Sequence, residues 1–276
     1  MKRSIPVAVV SGILTVMGAR GLAAQSVPSG AGSPASSGHE PPPREIKAVG
    51  ELKLHDFAAK WMMQQDDLPE VGHYAAANAG LSPPSPSRPR VVLMGDSITY
   101  HWTAEDLPTP PWMEVVNRGV VGQNTSQMLL RFEDDVVALK PAAVVILGGA
   151  NDLRVYVGDP AAAEAGVLAR IERNVTTMAE IANANGVKVV ICAITPFGAD
   201  HRGLQRDPAT LRAANTWLKT FAASRHYPFA DYYGVLADAS GDMPASLSKD
   251  GLHPTAEGHR RMWPQLQAAL EQLKLR

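Results

Sequence analysis

The chain has 276 residues, a length that suits one sizeable α/β domain with further segments at its N-terminus. Hydrophobic residues make up 45% and aromatic residues 6%, which is enough for a packed core and excludes a disordered protein. With 26 Lys and Arg against 27 Asp and Glu, the chain has no basic field that would attract nucleic acid or an anionic membrane.

The N-terminus has the pattern of an export signal. Two basic residues precede an apolar stretch from Ile5 to about Gly18, and small residues follow at Ala23 and Ala24. This pattern predicts a signal peptide over residues 1–24, cleaved near Ala24, and a secreted or periplasmic protein. A membrane anchor is the alternative. The stretch is short and is interrupted at Ser11, so we expect no stable membrane insertion of the mature chain.

Two further segments precede the main domain. Residues 25–45 are rich in Ser, Gly and Pro and predict a flexible linker. Residues 46–89 predict a helical segment followed by a proline-rich connector. The helical part is indicated by apolar residues at helical spacing, namely Leu54, Phe57, Ala58, Trp61 and Met62.

From Arg90 to the C-terminus, apolar runs alternate with helical patterns. The runs predict five strands, at Val91–Gly95, Met113–Asn117, Ala142–Leu147, Val187–Ile194 and Pro228–Ala230. Because these runs do not alternate between apolar and polar residues, both faces of the sheet should be buried. The sequence therefore predicts a three-layer α/β/α sandwich with a five-stranded parallel sheet, flavodoxin-like, over residues 90–276, with an N-terminal helical extension.

Four helices are predicted between and after these strands. The first should bury Met128, Phe132, Val136 and Leu139, the second should run from Asp159-Pro160 to Asn185-Gly186, and the third from Asp207-Pro208 to about Ser224. The last should start near Thr255 and bury Trp263, Leu266, Leu270 and Leu273. Pro264 should kink that helix or delay its start.

In parallel sheets of this kind, working residues lie at the carboxyl ends of the strands. The run Gly-Asp-Ser-Ile-Thr, residues 95–99, directly follows the first strand. It places Ser97 on the turn into a helix, whose free N–H groups favour a developing negative charge. An ordinary N-cap serine is the alternative.

The run Asp-Gly-Leu-His-Pro, residues 250–254, lies in the loop before the last helix. A serine nucleophile needs a base, and histidine is the side chain best suited near neutral pH. Asp250, three residues before His253, can hold the imidazole in place. A surface loop with a capping role is the alternative.

Two loops complete the set of candidate positions. Gly122, in the segment 117–124 after the second strand, can present a backbone N–H to a substrate, and Asn151, in the segment 148–152 after the third strand, can donate its side-chain amide. Ordinary turns explain each loop equally well when it is taken alone.

Taken together, the order and spacing of these runs resemble blocks I, II, III and V of the SGNH hydrolase family, within the wider GDSL group. The resemblance covers about Arg90 to the C-terminus, and the runs at 95–99 and 250–254 are its specific part. It implies that Ser97 is the nucleophile and that His253 is the general base and acid, oriented by Asp250. It also implies an oxyanion hole made by the Ser97 and Gly122 N–H groups and the Asn151 amide.

The family often has Thr where this chain has Ala150, which removes a hydroxyl but not the Asn151 donor. Asp96 is expected to support the nucleophile turn. The implied reaction is hydrolysis of a small-molecule or carbohydrate ester, with a short acyl or acetyl group, through an acyl-enzyme. No cofactor and no metal are implied, so activity should survive EDTA.

Several alternatives stay open. The same residues would serve a lysophospholipase or thioesterase type of acylhydrolase. They would also serve an acetyltransferase that acts on cell-wall or exopolysaccharide sugars. A non-catalytic carbohydrate-binding protein would use the same fold. Position 99 is Thr, so the Gly-x-Ser-x-Gly motif of α/β-hydrolases is absent.

Cys192 is expected in the core. The remaining histidines are expected on the surface or in the core, without metal-ligand pairing; they are His39, His55, His73, His101, His201, His226 and His259. Four residues near the expected site can line it or pack: Tyr100, Trp102, Trp112 and Asn124. The oligomeric state is left open.

Overall fold

A computed structural model of the protein describes residues 70–154, 160–201 and 206–275. The predicted signal peptide, the linker and the amphipathic helix around residues 54–62 lie outside these ranges and stay predictions. The same holds for Asp159 as the cap of the long helix.

The centre of the fold is a five-stranded, fully parallel sheet in the order β2-β1-β3-β4-β5. Its strands are β1 Arg90–Gly95, β2 Glu114–Gly119, β3 Ala143–Leu147, β4 Lys188–Cys192 and β5 Phe229–Ala230. Every residue of β1 and β3 is buried, which is why these strands read as unbroken apolar runs. The predicted five-stranded parallel α/β fold is confirmed.

Helices flank this sheet. They are α1 Ala75–Ala79, α2 Ser97–Tyr100, α3 Thr125–Leu130, α4 Phe132–Asp135, α5 Pro160–Ala184, α6 Pro208–Arg225, α7 Tyr232–Leu236 and α8 Ala256–Gln272. Helix α6 begins as predicted, because Asp207 caps it by accepting from the Thr210 N–H at 2.7 Å and Pro208 occupies its first turn. Cys192 is buried in the core, and burial raises the pKa of its thiol to about 12.

The segment before β1 is held against the end of β2. It contains a 3₁₀ turn, Val71–Tyr74, and helix α1. The Tyr74 hydroxyl donates to the Gly119 carbonyl at 2.5 Å, and the Arg118 guanidinium lies 4.6 Å from the Tyr74 ring centre. In helix α1, the Asn78 amide donates to Asp135 Oδ1 at 2.8 Å.

The helix after β2 and the ends of some strands differ from the sequence predictions. The predicted single helix after β2 is broken into α3, α4 and a 3₁₀ turn at Val137–Leu139, although its four apolar side chains are all buried as expected. The break falls at Arg131, whose side chain turns into the core. Strand β2 extends to Gly119, beyond its predicted end at Asn117. Strand β4 ends at Cys192, before its predicted end at Ile194. Helix α8 starts at Ala256 with Thr255 as its cap, as predicted, and Pro264 lies inside it without delaying its start.

Candidate active site

Ser97 lies at the start of helix α2, immediately beyond the carboxyl end of β1. Asp96 forms the turn between them, and its Oδ1 accepts a hydrogen bond from the Ile98 N–H at 2.9 Å. Asp96 is fully buried, and this burial raises the pKa of its carboxyl to about 7, although the Ile98 hydrogen bond acts in the opposite direction. At the end of β2, a Cβ on Gly119 would lie 2.2 Å from the Tyr100 N, so only glycine lets β2 pack this closely against α2.

The loop before helix α8 brings His253 to Ser97. His253 Nε2 lies 2.9 Å from Ser97 Oγ, and His253 Nδ1 lies 2.6 Å from Asp250 Oδ2. Because the carboxylate can only accept, Nδ1 carries the proton, and Nε2 is left to accept from the serine hydroxyl. The structure therefore brings the three residues together in one hydrogen-bonded series.

Asp250 is held in this position by its own turn. Its Oδ1 accepts from the Leu252 N–H at 3.0 Å and from the His253 N–H at 2.9 Å. Partial burial acts to raise the pKa of Asp250, but the hydrogen bonds from the His253 ring and from these two N–H groups outweigh it and hold the pKa well below its usual value. The Asp250 carboxylate that faces the imidazole is thus charged at neutral pH.

The other two predicted loops lie at the same edge of the sheet. Gly122 follows β2 in a left-handed conformation, with φ 80°, and is exposed. Asn151 follows β3 and is buried, and its Nδ2 donates to the Gln123 carbonyl at 3.0 Å. This hydrogen bond places the Asn151 amide beside the Gly122 loop. The Ser97 N–H belongs to the first turn of α2, where a helix offers its N–H groups no intrahelical acceptor.

Asp152 ties the Asn151 loop to helix α3, a role that sequence reasoning missed by treating it as an ordinary turn residue. Its fully buried carboxylate accepts from the Thr125 N–H at 2.8 Å and from the Thr125 hydroxyl at 2.7 Å. The Arg170 Nε donates to it at 3.0 Å from helix α5. In the sequence, only its position next to Asn151 could have indicated this role.

Arg131 is a second residue that was missed, and it lies beneath the site. It is completely buried, and its guanidinium donates to Asp135 Oδ2 at 2.8 Å, to the Gly95 carbonyl at 2.9 Å and to Gln123 Oε1 at 2.5 Å. One side chain therefore connects the end of β1, next to the Ser97 turn, to the loop that carries Gly122.

His201 and Arg206 form a third connection, between the Asn151 loop and the Asp250 loop. Arg206 is buried, and its Nε donates to the Ala150 carbonyl at 3.3 Å while its Nη1 lies 3.2 Å from His201 Nδ1. The arginine can only donate, so His201 accepts at Nδ1 and donates from Nε2 to the Asp250 carbonyl at 2.6 Å. His201 thus bridges two loops of the site.

The four residues predicted either to line the site or to pack divide clearly. Trp102 packs: it is buried and stacks on His259 at 5.4 Å. Asn124 caps α3 by accepting from two N–H groups of its first turn. Trp112 lies before the start of β2, at the opposite end of that strand from the site. Tyr100 alone is exposed beside Ser97, with 44% of its surface accessible.

An open cavity of about 350 Å³ borders His253, and its lining includes Lys249, Asp250, Thr255 and Ala256.

In the described ranges, no group of three or more His, Cys, Asp or Glu side chains could hold a metal ion. Among the same residues, no helix is both long and apolar enough to cross a membrane.

Comparison with known proteins matches residues 93–261 to the GDSL-like Lipase/Acylhydrolase family. A solved structure from Bacteroides fragilis, described as an acylhydrolase, is 33% identical, with 76% of this chain and 99% of that chain covered and a TM-score of 0.66. An acetylxylan esterase from Geobacillus stearothermophilus is 28% identical over 150 residues, 53% of this chain and 67% of its own length. An uncharacterised lipoprotein from Bacillus subtilis is 28% identical over 122 residues, 39% of this chain and 49% of its own.

A parallel sheet whose carboxyl edge holds Ser, His and Asp in one hydrogen-bonded series is the arrangement of a serine hydrolase. The chain belongs to the GDSL-like lipase/acylhydrolase family, and it is a hydrolase of carboxylic esters.

Proposed function

We propose that the protein hydrolyses short-acyl esters in two steps, with Ser97 as the nucleophile and His253 as its base. The proposal depends on one observation, the 2.9 Å contact between Ser97 Oγ and His253 Nε2. The imidazole takes the hydroxyl proton as the oxygen attacks the ester carbonyl, and Asp250 stabilises the resulting imidazolium. The low pKa of Asp250 supports this role, because its carboxylate stays charged throughout the neutral range.

The negative charge that develops on the carbonyl oxygen needs donors that are already in place. We assign these to the N–H groups of Ser97 and Gly122 and to the side-chain amide of Asn151. The hydrogen bond from Asn151 to the Gln123 carbonyl supports the assignment, because it engages one hydrogen of the amide and leaves the second available. Each such donor can lower the barrier by about 3 kcal/mol.

The first step ends when the imidazolium of His253 gives its proton to the departing alcohol, and the acyl group stays on Ser97. In the second step, water loses a proton to the imidazole as it attacks the acyl carbonyl. The bond between the acyl carbon and Ser97 Oγ then breaks, the imidazolium returns its proton to Oγ, and the acid is released. No metal or cofactor takes part in this scheme.

We infer that the acyl group is short, an acetyl group being the favoured case, and that esters of carbohydrates are among the substrates. The cavity beside His253 is open to solvent, so a long hydrocarbon chain held there would stay partly exposed to water. A larger cavity of about 530 Å³, bordered by Trp112 and Trp263, lies at the other end of β2 and cannot receive an acyl chain from Ser97. The similarity to an acetylxylan esterase is consistent with this substrate class.

We further propose that the protein is exported and that residues 1–24 are removed. The basic start, the apolar stretch and the small residues at positions 23 and 24 support this proposal. N-terminal sequencing of the mature protein tests it, and a chain that still begins at Met1 after export would contradict cleavage.

The test of the reaction is a Ser97→Ala variant assayed with p-nitrophenyl acetate. Hydrolysis should disappear, while the thermal unfolding temperature should stay near that of the unchanged protein. Ser224→Ala is the matched control, because the Ser224 hydroxyl donates within helix α6, to the Phe221 carbonyl, and its loss should leave activity intact. Retained hydrolysis in Ser97→Ala would refute the assignment.

An acyl-chain series from acetyl to palmitoyl p-nitrophenyl esters tests the substrate class. The rate should be highest for the shortest chains. A maximum at long chains would favour a lysophospholipase or thioesterase type of acylhydrolase. Product analysis with competing sugar acceptors separates hydrolysis from acetyl transfer, because a transferase would give acetylated acceptor in place of acetate.

A further inference from the structure

A row of aromatic rings leads away from the proposed catalytic histidine across the surface. The His101 ring centre lies 5.3 Å from that of His253, Tyr100 lies 5.2 Å from His101, and His73 lies 6.5 Å from Tyr100. We call His101, Tyr100 and His73 the aromatic strip. All three are exposed, and the proposed reaction uses none of them.

Helix geometry explains why the strip starts at the nucleophile. Tyr100 and His101 follow Ser97 by three and four residues, and residues at these spacings share one face of a helix. The face of α2 that presents the serine hydroxyl therefore also presents the first two rings of the strip. Exposed large hydrophobic side chains are few among the described residues, and Val121, beside the Gly122 loop, is another.

The far end of the strip is held in place. His73 lies in the 3₁₀ turn before α1, and its ring packs edge-on against Tyr74, with a centroid distance of 4.6 Å. Tyr74 is in turn fixed to the end of β2 by its hydrogen bond to the Gly119 carbonyl and by the Arg118 guanidinium over its ring. The rings therefore lie on supports that are anchored to the sheet.

The chemistry of the strip indicates what it binds. An aromatic face attracts C–H groups, while the ring nitrogens of histidine and the phenol of tyrosine form hydrogen bonds. A pyranose presents both kinds of group, because its C–H bonds lie on its faces and its hydroxyls lie around its edge. An acyl chain presents only C–H groups and would leave the polar atoms of the strip unused.

We propose that the aromatic strip binds successive pyranose units of a glycan, on the alcohol side of the ester that Ser97 attacks. This inference rests on the proposed function and specifies its substrate: an O-acetylated oligosaccharide or polysaccharide, held so that one acetyl group reaches the serine.

The test uses partially acetylated xylo-oligosaccharides of increasing length, beginning with the acetylated monosaccharide, and p-nitrophenyl acetate as the reference ester. In the unchanged protein, kcat/KM should rise with chain length until the strip is covered, mainly through a lower KM. In a Tyr100→Ala/His73→Ala variant this gain should be lost, so that kcat/KM on the longer oligosaccharides, relative to p-nitrophenyl acetate, falls about tenfold.

Two further variants make the result specific. Tyr100→Phe keeps the ring and should retain most of the chain-length gain. Leu130→Ala removes another exposed apolar side chain, from the end of α3, and should leave kcat/KM unchanged on both the oligosaccharides and p-nitrophenyl acetate. A binding measurement on Ser97→Ala with the same oligosaccharides, with and without Tyr100→Ala, should show weaker binding when the ring is removed.

Three results would overturn the inference: no gain with chain length, an unchanged ratio in the double variant, or a selective loss on long-chain p-nitrophenyl esters, which would show that the strip binds acyl groups. Failure of the proposed function looks different. In that case p-nitrophenyl acetate hydrolysis would persist in Ser97→Ala, whatever the oligosaccharides show.

Discussion

Replacing Arg131 by Met tests the buried ion pair beneath the site. Both side chains of the Arg131–Asp135 pair are completely inaccessible, with 2.8 Å between Nη1 and Oδ2. Loss of the guanidinium leaves the Asp135 carboxylate buried without its ion-pair partner. The Asn78 amide still donates to it, and Arg118 acts on it only from beyond salt-bridge distance. Breaking a buried pair in this way costs about 3–5 kcal/mol. For a domain of this size, the unfolding temperature should fall by roughly 6–20 °C.

Urea denaturation, followed by circular dichroism, gives the free energy of unfolding from the midpoint and the slope. The double variant Arg131→Met/Asp135→Leu should regain at least half of the loss, because an apolar pair of similar volume carries no unpaired charge. Arg225→Met is the matched control. Its ion pair with Glu180 is exposed, so its removal should cost at most about 1 kcal/mol.

Activity separates the two contributions of Arg131. The double variant regains stability but still lacks the donors to the Gly95 carbonyl and to Gln123, so its kcat on p-nitrophenyl acetate should stay below that of the unchanged protein. A cost below about 1 kcal/mol for Arg131→Met, or a double variant no more stable than the single one, would refute the reasoning about the buried charge.

Three further predictions concern the loops around Ser97. Asn151→Ala should lower kcat on p-nitrophenyl acetate by about 10²–10³-fold with little change in KM. A smaller effect that is confined to KM would show that Asn151 does not belong to the oxyanion hole. Asp96→Asn should remove one contribution to the pH dependence of stability. Burial raises the pKa of Asp96 from 3.8 to about 7, so the folded protein keeps a proton that the unfolded chain releases, and the contribution of Asp96 to stability falls by on the order of 4 kcal/mol as pH rises through this window. The buried His259 imidazole, with its pKa lowered to about 4, acts in the opposite direction in both proteins. The difference in free energy of unfolding between the two proteins, measured in urea at both ends of the window, should therefore change with pH, and a constant difference would contradict the reasoning. His201→Gln should lower kcat roughly tenfold, because an amide cannot both accept from Arg206 and reach the carbonyl of the Asp250 loop; an unchanged kcat would show that the bridge does not position the site.

The main features of the fold were predictable because they depend on local pattern. Strands β1 and β3 are apolar on both faces, and only a parallel sheet covered by helices buries both faces. The shared position of Ser97, Gly122 and Asn151 followed from the same rule, since each lies in the segment after one of three successive strands, whose carboxyl ends share one edge. The roles expected of these residues, and of Asp250 and His253, came from the resemblance to the SGNH hydrolase family.

The supporting residues could not be predicted, because their partners are distant in the chain or their surroundings contradict the local pattern. An Arg and an Asp four residues apart normally indicate an exposed helical pair, whereas Arg131 and Asp135 are buried because the helix breaks between α3 and α4. His201 and Arg206 connect the loop after β3 to the loop before α8. No periodic pattern in the sequence indicates that these two loops contact each other.

The two residues proposed to react, Ser97 and His253, are separated by 156 positions, and four of the five strands lie between them in the chain. A ribosome must therefore release nearly the whole domain before the hydroxyl can meet its imidazole. Under the proposed mechanism, a partly made or prematurely ended chain does not cleave esters, so the rate of ester cleavage in a preparation reports only the molecules that have finished folding. The same enzyme can thus serve as its own folding sensor, read out with a chromogenic ester and without any added label.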